Sequence, residues 1–263
     1  MRSAVKLAVA LLLGSLIVVA VYRADGDKAA PTAVKASPPV VSAQPSPSLR
    51  AAEAAKVQTP AKKKPRKPVA QAQPAARKKS KRTVSLTFDD GPSPYTPKIL
   101  NILRRHRVKA TFCLLGANVG DYRKTARRIV REGHRVCNHS RNHADFTTLS
   151  RSAARANVRK AQRKIRNVTG RSPKTFRFPY GASNSVTRAV VRGEGLRILG
   201  WTVDTRDWQG PPAAVITRRA VRDVRPGAVV LMHDGGGERG PTVASLDRTI
   251  RKLKAKGYTF VLA

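Results

Sequence analysis

The chain predicts an α/β fold, a distorted or incomplete parallel (β/α) barrel of about seven strands, and three observations lead there. Short β-branched or aromatic runs alternate with helical segments from residue 84 to the C-terminus, the pattern of parallel strands joined by crossover helices. Clusters of carboxylates, histidines and arginines fall just after the first, third, fourth, fifth and sixth of those runs. In a barrel the C-terminal strand ends converge on one mouth, whereas an open sheet would spread five such clusters across its width.

In chain order, residues 1–22 carry Arg2 and Lys6 followed by an apolar run over 7–22. This is an export signal, long for a signal-peptide core and short for a membrane span, so cleavage after Ala20 and retention as an anchor both stay open. No cysteine lies nearby, which excludes a lipoprotein anchor. Residues 23–82 are Ala, Pro, Lys, Ser, Gln and Val for the most part, with basic blocks at 62–67 and 77–82. So few large apolar residues cannot offset the entropy of ordering, and the segment reads as a disordered, self-repelling tether. It holds fifteen Lys and Arg against three acids, a net of +12, and residues 83–263 hold thirty-six against twelve, a net of +24. Such a field attracts polyanions. For an exported chain these are anionic cell-wall polymers or a membrane surface; nucleic acid is not expected, because the charge is spread out and no nucleic-acid-binding motif accompanies it.

Within 83–263 the predicted strands are 84–88, 110–115, 135–138, 175–178, 197–202, 228–232 and 259–262. Helices are predicted at 97–107, where Pro97 follows Thr96, at 123–132, ending at Gly133, and at 150–169, ending at Gly170. The last of these sets Val158, Ala161, Ile165 and Val168 on one face. Shorter helices are expected at 185–192, 212–224 and 242–256.

The chemistry begins at Thr87-Phe88-Asp89-Asp90-Gly91-Pro92-Ser93, where a buried strand runs into two adjacent carboxylates and a Gly-Pro turn. Two acids side by side at the mouth of an apolar strand resist joint ionisation unless a cation sits with them. His139 and His143, four residues apart, would share one face of a helical turn and reach a single ion. With one Asp of the pair they complete a His-His-carboxylate set that leaves positions open for water and substrate. Arg177-Phe178-Pro179-Tyr180-Gly181 follows the fourth strand, Asp204-Thr205-Arg206-Asp207-Trp208 the fifth, and Leu231-Met232-His233-Asp234 ends the sixth. His106 and His134, on the opposite side of the fold, are expected to be ordinary surface residues.

These five motifs, in this order, resemble those of the polysaccharide deacetylase family, also called the NodB-homology or carbohydrate esterase family 4, and the resemblance covers residues 83–263. It implies a distorted parallel barrel and a divalent metal, usually Zn2+, used to remove acetyl groups from sugars. It implies that Asp89 is the general base, that Asp90, His139 and His143 hold the metal, and that Arg177 orients Asp89. It implies further that the backbone N–H of Tyr180 helps bind the oxyanion and that His233, tuned by Asp207, is the general acid. An imidazole with a pKa near neutrality suits protonation of a leaving amine better than a carboxylate does. Tyr180 and Trp208 are expected to form a flat wall for a sugar ring.

The expected substrate is an acetylated polysaccharide built on N-acetylglucosamine, peptidoglycan ahead of chitin because a basic tether suits an anionic wall. An acetylxylan O-acetyl esterase and a catalytically silent basic wall-binding protein are the alternatives, and a monomer is expected. Cys113 and Cys137, the only two cysteines, depart from the family's usual residues at those positions. They are predicted to lie on neighbouring strands and to pair as a disulfide in an oxidising compartment.

Overall fold

The computed structural model describes residues 82–263; the export signal and all but the last residue of the tether lie outside the described residues. β1 (Thr83–Asp89) is buried along nearly its whole length, as a strand covered on both faces must be, and forms the middle of a parallel sheet. Across it lie β2 (Thr111–Leu114), β3 (Arg135–Asn138), β4 (Thr175–Phe176) and β5 (Arg197–Ile198) on one side. On the other lie β7 (Ala228–His233) and β6 (Val203–Asp204), giving the order β5-β4-β3-β2-β1-β7-β6. β8 (Thr259–Phe260) pairs with Thr83 and Val84 at the start of β1. β7 already runs along one edge of β1 from Val84 to Asp89, so β8 takes the lower part of the edge whose upper part, Thr87 to Asp89, belongs to β2.

The fifth predicted strand, 197–202, requires correction. It is two strands, β5 and β6, at opposite ends of the sheet, and residues 199–202 cross the seam between them. Among the described residues the strand count is therefore eight, and the sheet curls until its ends are one short crossing apart without pairing. Leu199 and Trp201 in the crossing are half-buried, which makes the segment read like a strand, but two of its carbonyls are satisfied by a side chain: the Arg177 guanidinium donates to Leu199 O at 3.3 Å and Gly200 O at 2.9 Å.

The helices cover the outside. α1 (Thr96–Arg105) carries Pro97 in its first turn, α3 is Arg123–Arg131, and α4 (Arg151–Thr169) is capped by Ser150 Oγ, which accepts from Ala153 N–H. α4 ends at Gly170 in the left-handed conformation, φ 71°. α5 (Ser185–Gly193) starts from a capping box built on Asn184 and Thr187; α6 (Ala213–Arg222) and α7 (Gly240–Ala255) complete the set. α2 (Gly116–Asp121) was not anticipated, since its six residues include two glycines and too little periodicity to register. Among the described residues no helix is long and apolar enough to cross a membrane.

The main core packs the sheet against the helices. A second, smaller cluster joins Phe146, Phe176 and Phe178 to Val158, Val190 and Val191. The three phenylalanine rings meet edge to face at 4.9 to 5.4 Å, a favourable aromatic geometry. Phe146 is fully buried there, so it pins the loop that carries His143 onto the sheet.

Candidate active site

The two adjacent acids leave β1 in different directions because the chain turns between them. Asp89 is the last β1 residue, whereas Asp90 adopts φ 71°, a left-handed conformation disfavoured outside glycine. The turn brings Asp90 Oδ1 to 3.3 Å from His139 Nε2 and 3.2 Å from His143 Nε2. These three ligand atoms lie within 4.8 Å of one another. Asp90 Oδ1 is buried and accepts no hydrogen bond, an omission that is costly unless a cation occupies the point the three atoms surround. The residues therefore fit a divalent metal ion. Burial alone would raise the Asp90 pKa, but the two imidazoles outweigh it and bring it down to about 2. Burial would likewise depress His139, and Asp89 and Asp90 reverse that, lifting it to about 9. The Asp89 and Asp90 carboxylates thus favour positive charge at the point between them.

The two histidines are not on a helical turn, as their spacing suggested. Residues 139–143 form an irregular turn with Ser140 at φ 75° and His143 at φ 58°. Side chains hold it: Ser140 N–H donates to Asn138 Oδ1 at 2.9 Å, His143 N–H to Ser140 Oγ at 2.9 Å, and Arg141 N–H to Asn157 Oδ1 at 2.6 Å. His139 Nδ1 lies 2.8 Å from the Arg177 carbonyl, which fixes the proton on Nδ1 and leaves Nε2 free as a ligand atom.

Arg177 is the largest fully buried side chain of the described residues. Besides its two carbonyl partners on the seam, its Nη1 donates to Asp89 Oδ1 and to Thr87 Oγ1, both at 2.8 Å, and the Trp201 ring lies 5.7 Å from its Cζ. Burial opposes its charge, but the Asp89 carboxylate more than compensates and raises the pKa above the ordinary arginine value. One side chain thus closes the barrel and fixes a carboxylate. Asp89 Oδ2 remains, 3.8 Å from His139 Nε2.

On the other side, β7 places His233 in register with Asp89. Asp207 Oδ1 lies 2.7 Å from His233 Nδ1, and Asp207 Oδ2 accepts from His233 N–H and from Thr242 Oγ1, both at 2.8 Å. Burial acts to lower the His233 pKa, and the Asp207 hydrogen bond and charge raise it above the usual value. Asp207 moves the other way: burial acts to raise its pKa, and His233 holds it below the usual carboxylate range.

The fold brings all of these mouth residues together with Tyr180 and Trp208. Asp89, Asp90, His139, His143, Tyr180, Trp208 and His233 line one cavity of about 640 Å³, while Arg177 and Asp207 lie behind its wall. Tyr180 (71% exposed) and Trp208 (52% exposed) present their rings to solvent at its rim, and Tyr180 meets His143 edge to face at 4.4 Å. Several residues here escaped the sequence reading. Trp201 lines the wall and crowds Gly181, where an added Cβ would come within 2.7 Å of its ring. Gly236, at φ 73°, leaves the room that the Asp90 carboxylate occupies, 2.5 Å from where a Cβ would stand. The run Gly235-Gly236-Gly237 straight after His233-Asp234 was the available signal. Asp234 is fully buried, hydrogen-bonded to Thr96, and burial raises its pKa to about 7.

His134 is corrected from surface to core. It is 6% exposed, its Nδ1 accepts from Ala110 N–H at 3.1 Å, and burial lowers its pKa to about 4. His106 is part-buried and lies 2.6 Å from Asp247. Cys113 and Cys137 are register partners on the adjacent strands β2 and β3, both fully buried with free thiols, and Cys113 is in turn the register partner of Asp89.

The profile of the family described as polysaccharide deacetylase matches residues 76–199, which contain Asp89, Asp90, His139, His143 and Arg177. A peptidoglycan-N-acetylglucosamine deacetylase, PgdA, of Listeria monocytogenes is 42% identical over 184 residues, 70% of this chain and 38% of that protein. The chain therefore spans well under half the length of that relative. A chitooligosaccharide deacetylase of Bradyrhizobium is 41% identical over 178 residues, 65% of this chain and 81% of that protein. Among solved structures, the Bc1960 peptidoglycan N-acetylglucosamine deacetylase superposes with a TM-score of 0.67 at 38% identity, over 69% of this chain and 86% of that one.

Proposed function

The chain belongs to the polysaccharide deacetylase family, and from that membership we propose that it hydrolyses acetyl groups from N-acetylglucosamine residues of a polysaccharide, peptidoglycan ahead of chitin. The observation that carries this reading is the placement of a carboxylate and an imidazole, Asp89 and His233, on register-paired strands beside the buried Asp90-His139-His143 trio. Asp90, His139 and His143 would hold the ion, and their mixed nitrogen and oxygen donors suit Zn2+. When bound, the ion supplies Lewis acidity, acidifying water in the site and polarising the acetyl carbonyl. Asp89, one oxygen held by Arg177, takes a proton from the attacking water through its free Oδ2. The N–H of Tyr180, on a residue held at φ 59°, donates to the oxyanion as it forms. His233, whose protonated form Asp207 favours, passes a proton to the departing amine. Tyr180 and Trp208 form the flat surface on which a sugar ring packs.

Residues 1–22 direct export, and the +12 tether holds a monomeric catalytic domain, residues 83–263, near an anionic wall or membrane surface. Acetate release measured in parallel on peptidoglycan, chitin oligomers and acetylxylan, with the metal chelated and then restored, tests the whole. Release from peptidoglycan or chitin, abolished by chelation, is expected. Release from acetylxylan alone would make the chain an O-acetyl esterase, and none from any substrate would leave a silent wall-binding protein.

A further inference from the structure

On the outside of the barrel, α6 and α7 leave a groove of about 540 Å³ between them. Its floor is made of small side chains, Thr217 and Val221 among them, because the two helices meet through small polar groups: Thr217 Oγ1 donates to Ser245 O at 3.2 Å, and Thr249 Oγ1 lies 3.4 Å from Thr217 Oγ1. Its rims are cationic. Arg218 and Arg222 stand on the α6 side and Arg248, Lys252 and Lys256 on the α7 side, all exposed, and the lining contains no acid. Of the five, Arg222 pairs with Asp223, and Lys256 Nζ donates to Val221 O. Arg218, Arg248 and Lys252 form no ion pair among the described residues. Both rows repeat every four residues, so successive cations stand about 6 Å apart along each helix.

The groove does not end at Lys256. Arg82 adds a cation at that end, its Nη1 donating to Lys256 O at 2.9 Å. Arg218 on one rim and Arg248 and Lys252 on the other, none of them ion-paired among the described residues, are costly to hold together unless an anion lies between them. A membrane surface fits poorly. The large apolar side chains exposed on the domain are Tyr180, Val186, Trp208 and Val261, and none lines this groove to insert into lipid. Single-stranded nucleic acid fits poorly as well, since no aromatic side chain is present for bases to stack on. A slender chain with phosphate groups at short regular intervals can set one phosphate against each pair of cations.

We infer that the α6–α7 groove is a docking site for a linear polyphosphodiester polymer. The C-terminal ends of both helices lie with the start of β1 and with β8, away from the mouth, and the groove shares no lining residue with the cavity, so the polymer is held on the outer wall, clear of the mouth. This assignment goes beyond the deacetylase reading and stands whether or not that reading does.

The test uses the full chain and a fluorescently labelled glycerol-phosphate oligomer, with binding followed by anisotropy as salt is raised. A triple variant, Arg218→Gln/Arg248→Gln/Lys252→Gln, is compared with a control that removes the same charge from α4, Lys160→Gln/Arg163→Gln/Arg166→Gln, and thermal melting verifies that both fold. The groove variant is expected to bind about tenfold more weakly, with a log–log salt slope shallower by about two, at roughly 0.7 for each phosphate left without its cation. The control is expected to change less than twofold. Equal losses in the two triple variants would overturn the assignment in favour of charge alone. A loss as large on phosphatidylglycerol vesicles, or on oligothymidylate of equal charge, would overturn it in favour of a lipid surface or nucleic acid.

Discussion

His134 and His233 are both enclosed by the same barrel, at opposite ends of its strands, and they are driven in opposite directions. His134, just before β3 at the closed end, offers Nδ1 to a backbone N–H, and Glu132 Oε2 stands 4.0 Å from its other nitrogen, too far for a hydrogen bond; burial, with the Lys109 charge, dominates and the ring stays neutral. His233, at the end of β7, finds Asp207 at 2.7 Å, and the carboxylate overrides the burial penalty. The difference teaches that enclosure does not decide what a histidine does here; the partner does. The closed end gives its histidine a backbone donor and no carboxylate close enough to charge it, while the mouth assembles carboxylates, imidazoles and left-handed residues that only a cation and a substrate complete.

The sharpest way to break this contrast is at the double aspartate. Asp89→Asn should lower turnover by about 10³ to 10⁴ while metal content is largely retained, because its carboxylate is a proton acceptor held by Arg177. Asp90→Asn should lose the metal itself. Metal analysis on both purified variants distinguishes them, and equal metal loss would sink the division of roles.

Between the two ends lie Cys113 and Cys137, and we propose that export oxidises the facing thiols to a disulfide. Closing a 24-residue loop would stabilise the fold by about 3 to 4 kcal/mol on the chain-entropy model. A free-thiol count on denatured, exported protein should then give none; two titratable thiols without reductant would end the proposal.

At the closed end, His134 has a depressed pKa of about 4 against an ordinary 6.5. Its neutral ring therefore contributes stability that is complete above pH 6.5 and is lost as pH falls from 6.5 to 4, about 3 kcal/mol in all. Urea midpoints measured across that range should fall in the wild type. In His134→Gln the decline should be shallower, and an identical decline would show that other groups cause it.

The mouth gives the smaller but more specific pH effect. His233 acts as an acid only while protonated, so activity is present below its raised pKa and fades as pH climbs through it. Asp207→Asn removes the main cause of the rise. Turnover should drop about a hundredfold, and the alkaline limb of the rate profile should move to lower pH. A drop with an unmoved limb would mean that Asp207 only holds the ring in place.

Truncation to begin near Thr83 should weaken binding to isolated cell walls, by an amount that shrinks as salt rises, since exposed charges are screened beyond about 8 Å at physiological ionic strength. Unchanged wall binding would assign that affinity to the domain's own +24.

Much of this was legible in the residues themselves. Alternation of runs and helical faces sets the α/β class, because a two-residue and a 3.6-residue period are written directly into the chain. Asp89, Asp90, His139, His143, Arg177, Asp207 and His233 stand out because ionisable groups at the ends of apolar strands have few structural uses. The sequence by itself could not tell that residues 197–202 divide between the two edges of the sheet, since an apolar crossing and an apolar strand read alike. It could not tell that His139 and His143 meet through a turn with two left-handed residues, because that conformation is imposed by Asn138, Ser140 and Asn157 side chains. Nor could it separate His134 from a surface histidine, or show that Arg177 closes the barrel as well as holding Asp89. Those outcomes depend on contacts between residues up to 90 positions apart, and a pattern read along the chain carries no distance between them until the fold brings them together.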